Sequence, residues 1–246
     1  MNRFLILTAV FLLTLTMITG CSKPQTVPAV TESTTISAAE TIPAETEGNI
    51  VAAVYSRQIE RYYAAFSQQW DEGAYWDHEM SALASYYYEG IPLENAGFAF
   101  MDLDGNGIQE LLIGAIMGAD RDPLVFEIWT VRNGEPTMLA QSGSHNRYYL
   151  QYAEEDSLWS VAYEAENGAA NHAVYYLQLA DGEFQVIQGI VFDAIANEQE
   201  PWFMAYDLDW DVSNDTPIDA DTAAAVITAG RILYTSLKYV PYSQFQ

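Results

Sequence analysis

The sequence predicts an α+β fold in which helices stand before and after one antiparallel β-meander. Three observations predict it. Apolar residues recur at helical intervals between Ile50 and Trp70. Short β-branched and aromatic runs then follow one another from Gly97 to Phe192, punctuated by Asn133-Gly134 and Asp181-Gly182. Finally, Asp219 to Thr222 offers a helix start ahead of an apolar pattern that continues to about Leu237. A chain of 246 residues that is 50% hydrophobic, with 6 Trp, 17 Tyr and 10 Phe, has enough apolar surface for one full-sized domain without disulfide staples.

Before that domain come two segments of other kinds. Arg3 supplies a positive start and Phe4 to Ile18 an apolar stretch too short to span a bilayer, so residues 1–20 read as a signal peptide. The stretch closes on Ile18-Thr19-Gly20-Cys21, which resembles the bacterial lipobox: an aliphatic residue, two small ones, then the cysteine that is lipidated. Ile18 stands where Leu is usual. Cys21 is the only cysteine, so the chain forms no internal disulfide and, once acylated, retains no catalytic thiol. Acyl chains contribute about 0.8 kcal/mol per buried CH₂ and hold firmly when two are present, which a diacylglyceryl group provides. The resemblance implies an extracytoplasmic protein held to the cell membrane through a lipid on Cys21. Residues 21–48 are Thr, Ser, Pro, Ala and Glu without apolar period, a disordered tether.

The folded part is expected over residues 49–246. Asn49 is a candidate N-cap for a helix reaching about Trp70, with Ile50, Val54, Ile59, Tyr62, Tyr63, Phe66 and Trp70 on its apolar face. A second helix is expected from His78 to Tyr88. After Gly90-Ile91-Pro92 the period changes to that of strands: Gly97–Met101, Glu110–Ile116, Leu124–Val131, Thr137–Ala140, Tyr148–Ala153, Leu158–Tyr163, Ala173–Leu179 and Phe184–Phe192. The two Asn/Asp-Gly pairs suit two-residue hairpin turns. Thr216-Pro217 and Asp219 to Thr222 open the final helix.

Charge narrows the function. Nine basic residues stand against 34 acidic ones, a formal charge of -25, so a phosphate backbone is repelled and nucleic acid is excluded as a partner.

The segment from Phe98 to Ile113 carries the most chemistry. Asp102, Asp104, Asn106 and Glu110 fall at the first, third, fifth and ninth places of a loop, with Gly107 at the sixth. Alternate residues of a tight loop turn oxygens inward, and a backbone carbonyl, here that of Ile108, adds another; a hard cation such as Ca²⁺ takes about six to eight oxygens. The twelfth place, where an EF-hand has its bidentate Glu, is Ile113, and strand-like residues flank the loop on both sides. The same residue types also favour a metal-free turn.

Flanked in this way, the loop resembles the calcium loop of FG-GAP/VCBS-type repeats over about the residues Phe98 to Ile116. A single loop does not supply a propeller of several blades. The whole layout is more similar to a group of Gram-positive surface lipoproteins of unknown activity, with a lipobox, a Thr/Ser-rich tether, a helical segment, one DLDGNGxxELLIG hairpin, Tyr-rich strands and a late Pro201-Trp202. This resemblance implies a calcium-loop hairpin within the meander and a structural Ca²⁺. It brings no catalytic residue with it.

A second acidic run, Asp207, Asp209, Asp211 and Asp215, repeats the first, third, fifth and ninth places. Its sixth place is Val212, which resists the positive φ such a loop asks for, so a solvated acidic loop competes with a second metal loop. His78, His145 and His172 show no zinc spacing, and Ser142-Gly143-Ser144-His145 lacks the strand-turn-helix setting of a nucleophile elbow. Tyr148-Tyr149 and Tyr175-Tyr176 should each turn one ring inward and one outward; ordinary β-rich packing accounts for such pairs, with surface platforms for peptide or glycan as the alternative. With no catalytic residue assignable, the sequence favours a non-catalytic envelope or ligand-binding module whose partner is an envelope protein or glycan. The alternatives are a carboxylate-dependent hydrolase of wall or polysaccharide and an envelope assembly or inhibitor protein.

Overall fold

The structure, a computed structural model, describes residues 52–87, 92–116, 123–154 and 158–245. The signal peptide, Cys21, the tether and the Asn49 cap lie outside the described residues. The architecture is α+β, a large antiparallel sheet with helices before it and one helix near its end.

Helix α1 (Ser56–Gln68) buries Ile59, Tyr62, Ala65 and Phe66, the i, i+3, i+4 stripe read from the sequence. Gln69 ends it in the left-handed conformation at φ 52°. Tyr62 lies over Phe126 with ring centroids 6.3 Å apart and planes at 7°, pinning the helix to the sheet. Such an aromatic pair contributes about 0.5–1.5 kcal/mol beyond its burial.

The helix expected from His78 to Tyr88 does not form as one element. A short helix, α2 (Glu72–Asp77), begins earlier, with the Asp71 carboxylate accepting from Ala74 N–H. A 3₁₀ segment spans Ala82–Tyr87. Between them Glu79 takes a φ of 54°, and Ser81 donates its backbone N–H to the buried Glu127 at 3.1 Å and to the Tyr62 hydroxyl at 3.2 Å. An N–H committed to the sheet is lost to a helical ladder, so tertiary contacts override the local pattern. One further turn, α3 (Pro92–Asn95), leads into the sheet.

The strands are β1 (Ala96–Met101), β2 (Glu110–Ala115), β3 (Leu124–Arg132), β4 (Glu135–Gln141), β5 (Asn146–Ala153), β6 (Leu158–Glu166), β7 (Asn171–Ala180), β8 (Glu183–Asp193), β9 (Trp202–Ala205), β10 (Thr216–Pro217) and β11 (Val240–Pro241). Their order is β10-β9-β8-β7-β6-β5-β3-β2-β1-β11, and β4 branches off β3. Strand β3 thus has β2 on one side, while on the other it pairs with β4 from Glu127 to Arg132 and with β5 at Leu124 and Val125. The marginal strands β4, β10 and β11 contain Pro136, Pro217 and Pro241.

The hairpin turns stand where the Asn/Asp-Gly pairs predict them, with φ of 54° and 83° at Asn133 and Gly134 and of 53° and 75° at Asp181 and Gly182. Strand β9 has no counterpart in the sequence reading; four residues, Trp-Phe-Met-Ala, are too few for a period to declare itself.

Both faces of the sheet are covered. One carries α1, α2 and the final helix α4 (Ala220–Ile232) over Phe98, Leu111, Ile113, Phe126, Tyr149, Val174 and Tyr176. The other buries Leu103, Leu112, Val125, Ile128, Leu150, Val161, Tyr175 and Val191. Tyr175 and Tyr176 are therefore both buried, against the expectation of one exposed ring from that pair.

Helix α4 starts where expected, with the Asp219 carboxylate accepting from Thr222 N–H at 2.6 Å, but Thr216-Pro217 belongs to β10 rather than to the helix. It also ends at Ile232, short of Leu237. Beyond it Tyr234 stacks on Tyr149 at 4.7 Å and Thr235 N–H bonds Leu150 C=O, so the chain rejoins the sheet.

Candidate metal centre

The acidic loop from Asp102 to Gln109 joins β1 to β2, whose six-residue pairing from Ala96↔Ala115 to Met101↔Glu110 fixes both of its ends. Gly105 and Gly107 take φ of 74° and 86°, a conformation that a β-carbon disfavours, and this lets the chain wind back on itself. Asp102 organises the winding. Its Oδ1 accepts from Gly105 N–H at 2.8 Å and Asn106 N–H at 3.1 Å, and its Oδ2 from Gly107 N–H at 2.9 Å.

Oxygen atoms of Asp102, Asp104 and Glu110 all lie within 4.8 Å of one another. Among the described residues this is the one group of three or more His, Cys, Asp or Glu side chains that converges so closely. Asp102 and Asp104 are half-buried, and Glu110 is fully buried. Asn106 sits beside them, its amide nitrogen donating to Asp104 Oδ2 at 3.0 Å and its Oδ1 accepting from Ile108 N–H at 2.6 Å. Ile108 is exposed.

Glu110 is held at both oxygens. Leu103 N–H donates to Oε2 at 2.9 Å and the Thr130 hydroxyl to Oε1 at 2.8 Å. Burial pushes the Glu110 carboxyl above its usual value, and the negative charges of Asp104 and Asp102 add to this, while the donors from Leu103 and Thr130 oppose it. Behind it, Tyr55 from the turn before α1 donates its hydroxyl to Gln109 C=O at 3.0 Å. The Tyr55 phenol is itself pushed up, first by burial and then by the Glu110 charge.

Three carboxylates brought together in this way repel one another, and each retains lone pairs beyond its hydrogen bonds. The donor set is all oxygen, so it fits a hard divalent cation and not a thiophilic one. Asn106 joins such a shell when its carboxamide turns over, exchanging nitrogen for oxygen. Sequence reasoning found Asp102, Asp104, Asn106, Ile108 and Glu110 from spacing alone; it missed Thr130 and Tyr55, which lie 20 and 54 residues from their partners.

The second acidic run has a different geometry. Asp207, Asp209 and Asp211 are exposed, Asp211 caps a short 3₁₀ turn (Val212–Asn214) by accepting from Ser213 N–H, and Val212 is buried in the core. The Asp215 carboxyl is pushed up by partial burial and then by Asp207, Asp209 and Asp211. Ser142 is structural: its hydroxyl donates to Val125 C=O at 2.5 Å and accepts from Tyr148 N–H at 3.0 Å.

Compared with known proteins, the chain matches no family model, no curated protein and no solved structure.

Proposed function

We propose that this chain is a lipid-anchored extracytoplasmic module in which the β1–β2 loop holds a structural Ca²⁺, and that its work is to bind an envelope protein or glycan rather than to catalyse. The observation that carries the metal reading is the convergence, within 4.8 Å, of carboxylate oxygens from the first, third and ninth loop positions. In this reading Asp102, Asp104, Asn106, Glu110 and the Ile108 carbonyl hold the ion, which when bound neutralises carboxylates that otherwise repel. Thr130 and Leu103 keep Glu110 pointed at it. Anchoring rests on the Ile18-Thr19-Gly20-Cys21 run.

The loop chemistry supports an affinity of about 10⁻⁵ to 10⁻³ M, from sensor to extracellular-module range. The test compares melting curves in millimolar calcium and in chelator. Calcium raises Tm, and Asp104→Ala removes the rise while leaving the chelated protein folded; superimposable curves for the unaltered chain defeat the metal reading. Anchoring is tested separately: Cys21→Ser moves the protein from the membrane fraction to the soluble one.

A further inference from the structure

On the face of the sheet that carries α4, the ends of β5, β6 and β7 and the last turn of α4 enclose an open cavity of about 490 Å³, lined by His145, Arg147, Glu164, Glu166, His172 and Arg231 among others. In a chain with 9 basic residues against 34 acidic ones, two arginines and two of the three histidines meet in this one place. Strand register assembles them. Arg147 is the cross-strand partner of Glu164, and Glu166, two residues further along the same face of β6, is that of His172.

The charges in the cavity differ in how far they are already committed. Glu164 Oε1 accepts from Arg231 Nε at 3.1 Å, from Arg231 Nη2 at 2.8 Å and from the Tyr234 hydroxyl at 2.9 Å. That carboxylate is satisfied from the last turn of α4 and from Tyr234 just beyond it, and in return it fixes the plane of the Arg231 guanidinium, leaving the Nη1 donors uncommitted. Among the described residues, the Arg147 guanidinium and the Glu166 carboxylate have no hydrogen bond or ion pair. A positive group without a hydrogen-bonded partner and a negative group whose charge acts on His172 thus stand in the same cavity as a neutralised pair. Next to Glu166 the His172 ring lies flat on Phe192, with centroids 4.6 Å apart, and Phe192 meets Trp202 edge-on at 4.9 Å. Burial holds the His172 imidazole below its usual range, so near neutral pH it presents an uncharged ring. The volume lies within the span of about 300–1,000 Å³ common to small-molecule sites.

We infer that this cavity binds a small carboxylate-bearing ligand, with Arg147 and the free edge of Arg231 taking the carboxylate, Glu166 taking a hydroxyl or ammonium group, and the His172 ring packing on the ligand body. The inference deepens the reading of the chain as a ligand-binding module and does not draw on the metal loop. An acidic sugar and a peptide C-terminus both supply such a carboxylate.

The test titrates the full chain, in detergent micelles, with glucuronate, with alanyl-alanine and with glucose, by calorimetry and by amide chemical shifts. Glucuronate or alanyl-alanine binds with a Kd below about 1 mM, glucose at least tenfold more weakly, and which acid binds tells sugar from peptide. Shift changes centre on residues 145–147 and 164–172. Arg147→Gln reduces affinity at least tenfold with Tm unchanged, because that guanidinium makes no hydrogen bond or ion pair among the described residues. The inference is overturned if neither acid binds, if glucose binds as well as glucuronate, or if Arg147→Gln binds as the unaltered chain does. Should the variant lower Tm, the shift map of the unaltered chain decides, and changes centred elsewhere overturn it. The calcium-dependent rise in Tm, read on the same samples, stands or falls independently.

Discussion

Leu103 donates its backbone N–H to Glu110 Oε2 across the loop at 2.9 Å, so a residue of the loop's first turn clasps the carboxylate that ends it. This bond holds the buried Glu110 carboxylate beside Asp102 and Asp104.

Replacing that charge separates the cost of burying it from its use. Glu110→Gln keeps an oxygen for Leu103 N–H and removes both the cost of burying a charge, which chiefly raises the Glu110 carboxyl, and the smaller repulsion from Asp104 and Asp102. The expected result is a Tm in chelator equal to or above that of the unaltered chain, together with loss of the calcium increment. Differential scanning calorimetry with and without calcium reads both. A calcium increment of full size in the variant counts against Glu110 as a ligand.

Asp102 accepts from three backbone N–H groups, whereas Asp104 accepts from one, that of Asn106 at 3.2 Å, which it shares with Asp102. Asp102→Ala therefore destabilises the chain even without calcium, by about 1–3 kcal/mol, whereas Asp104→Ala costs less under the same conditions. Urea unfolding in chelator makes the comparison, and equal midpoints for the two variants contradict it.

His172 has a pKa lowered from its ordinary 6.5, chiefly by burial, with Glu166 opposing. The unfolded chain then binds a proton that the native chain refuses, so this group's contribution to stability is complete above pH 6.5 and is lost as pH falls through the native value. His172→Gln is expected to flatten the fall in Tm as pH is lowered below 6.5. Parallel Tm–pH curves for the two proteins exclude this contribution.

Gly230 faces Tyr176 so closely that an added methyl group meets the tyrosine ring and hydroxyl. The Tyr176 hydroxyl is also tied to that helix, donating to Val226 C=O at 3.3 Å one turn before Gly230. Gly230→Ala should cost about 1–3 kcal/mol through overpacking, despite alanine's better helix propensity. Chemical denaturation measures it, and a stabilised variant refutes the packing argument.

What was legible in the sequence was local. Asn133-Gly134 and Asp181-Gly182 specify their turns by their own φ preferences, and the spacing of Asp102, Asp104 and Glu110 specifies a loop whose oxygens meet. What was not legible depends on distant partners. Ser81 breaks a helix because Glu127, 46 residues away, takes its N–H. Tyr175 and Tyr176 are both buried because α4 covers one face and a second core the other. The cavity around Arg147 is equally non-local, since it exists only when β5, β6, β7 and α4 are in register, and His145 and His172, far apart in sequence, meet only there.

The prolines in β4, β10 and β11 have a consequence for how copies of this molecule meet. Among the described residues, the marginal strands β4, β10 and β11 each carry an imino acid, which has no amide hydrogen to offer an approaching strand. A sheet this wide, crowded with neighbours, is thereby protected from zippering into filaments, and individual molecules are kept available for other encounters.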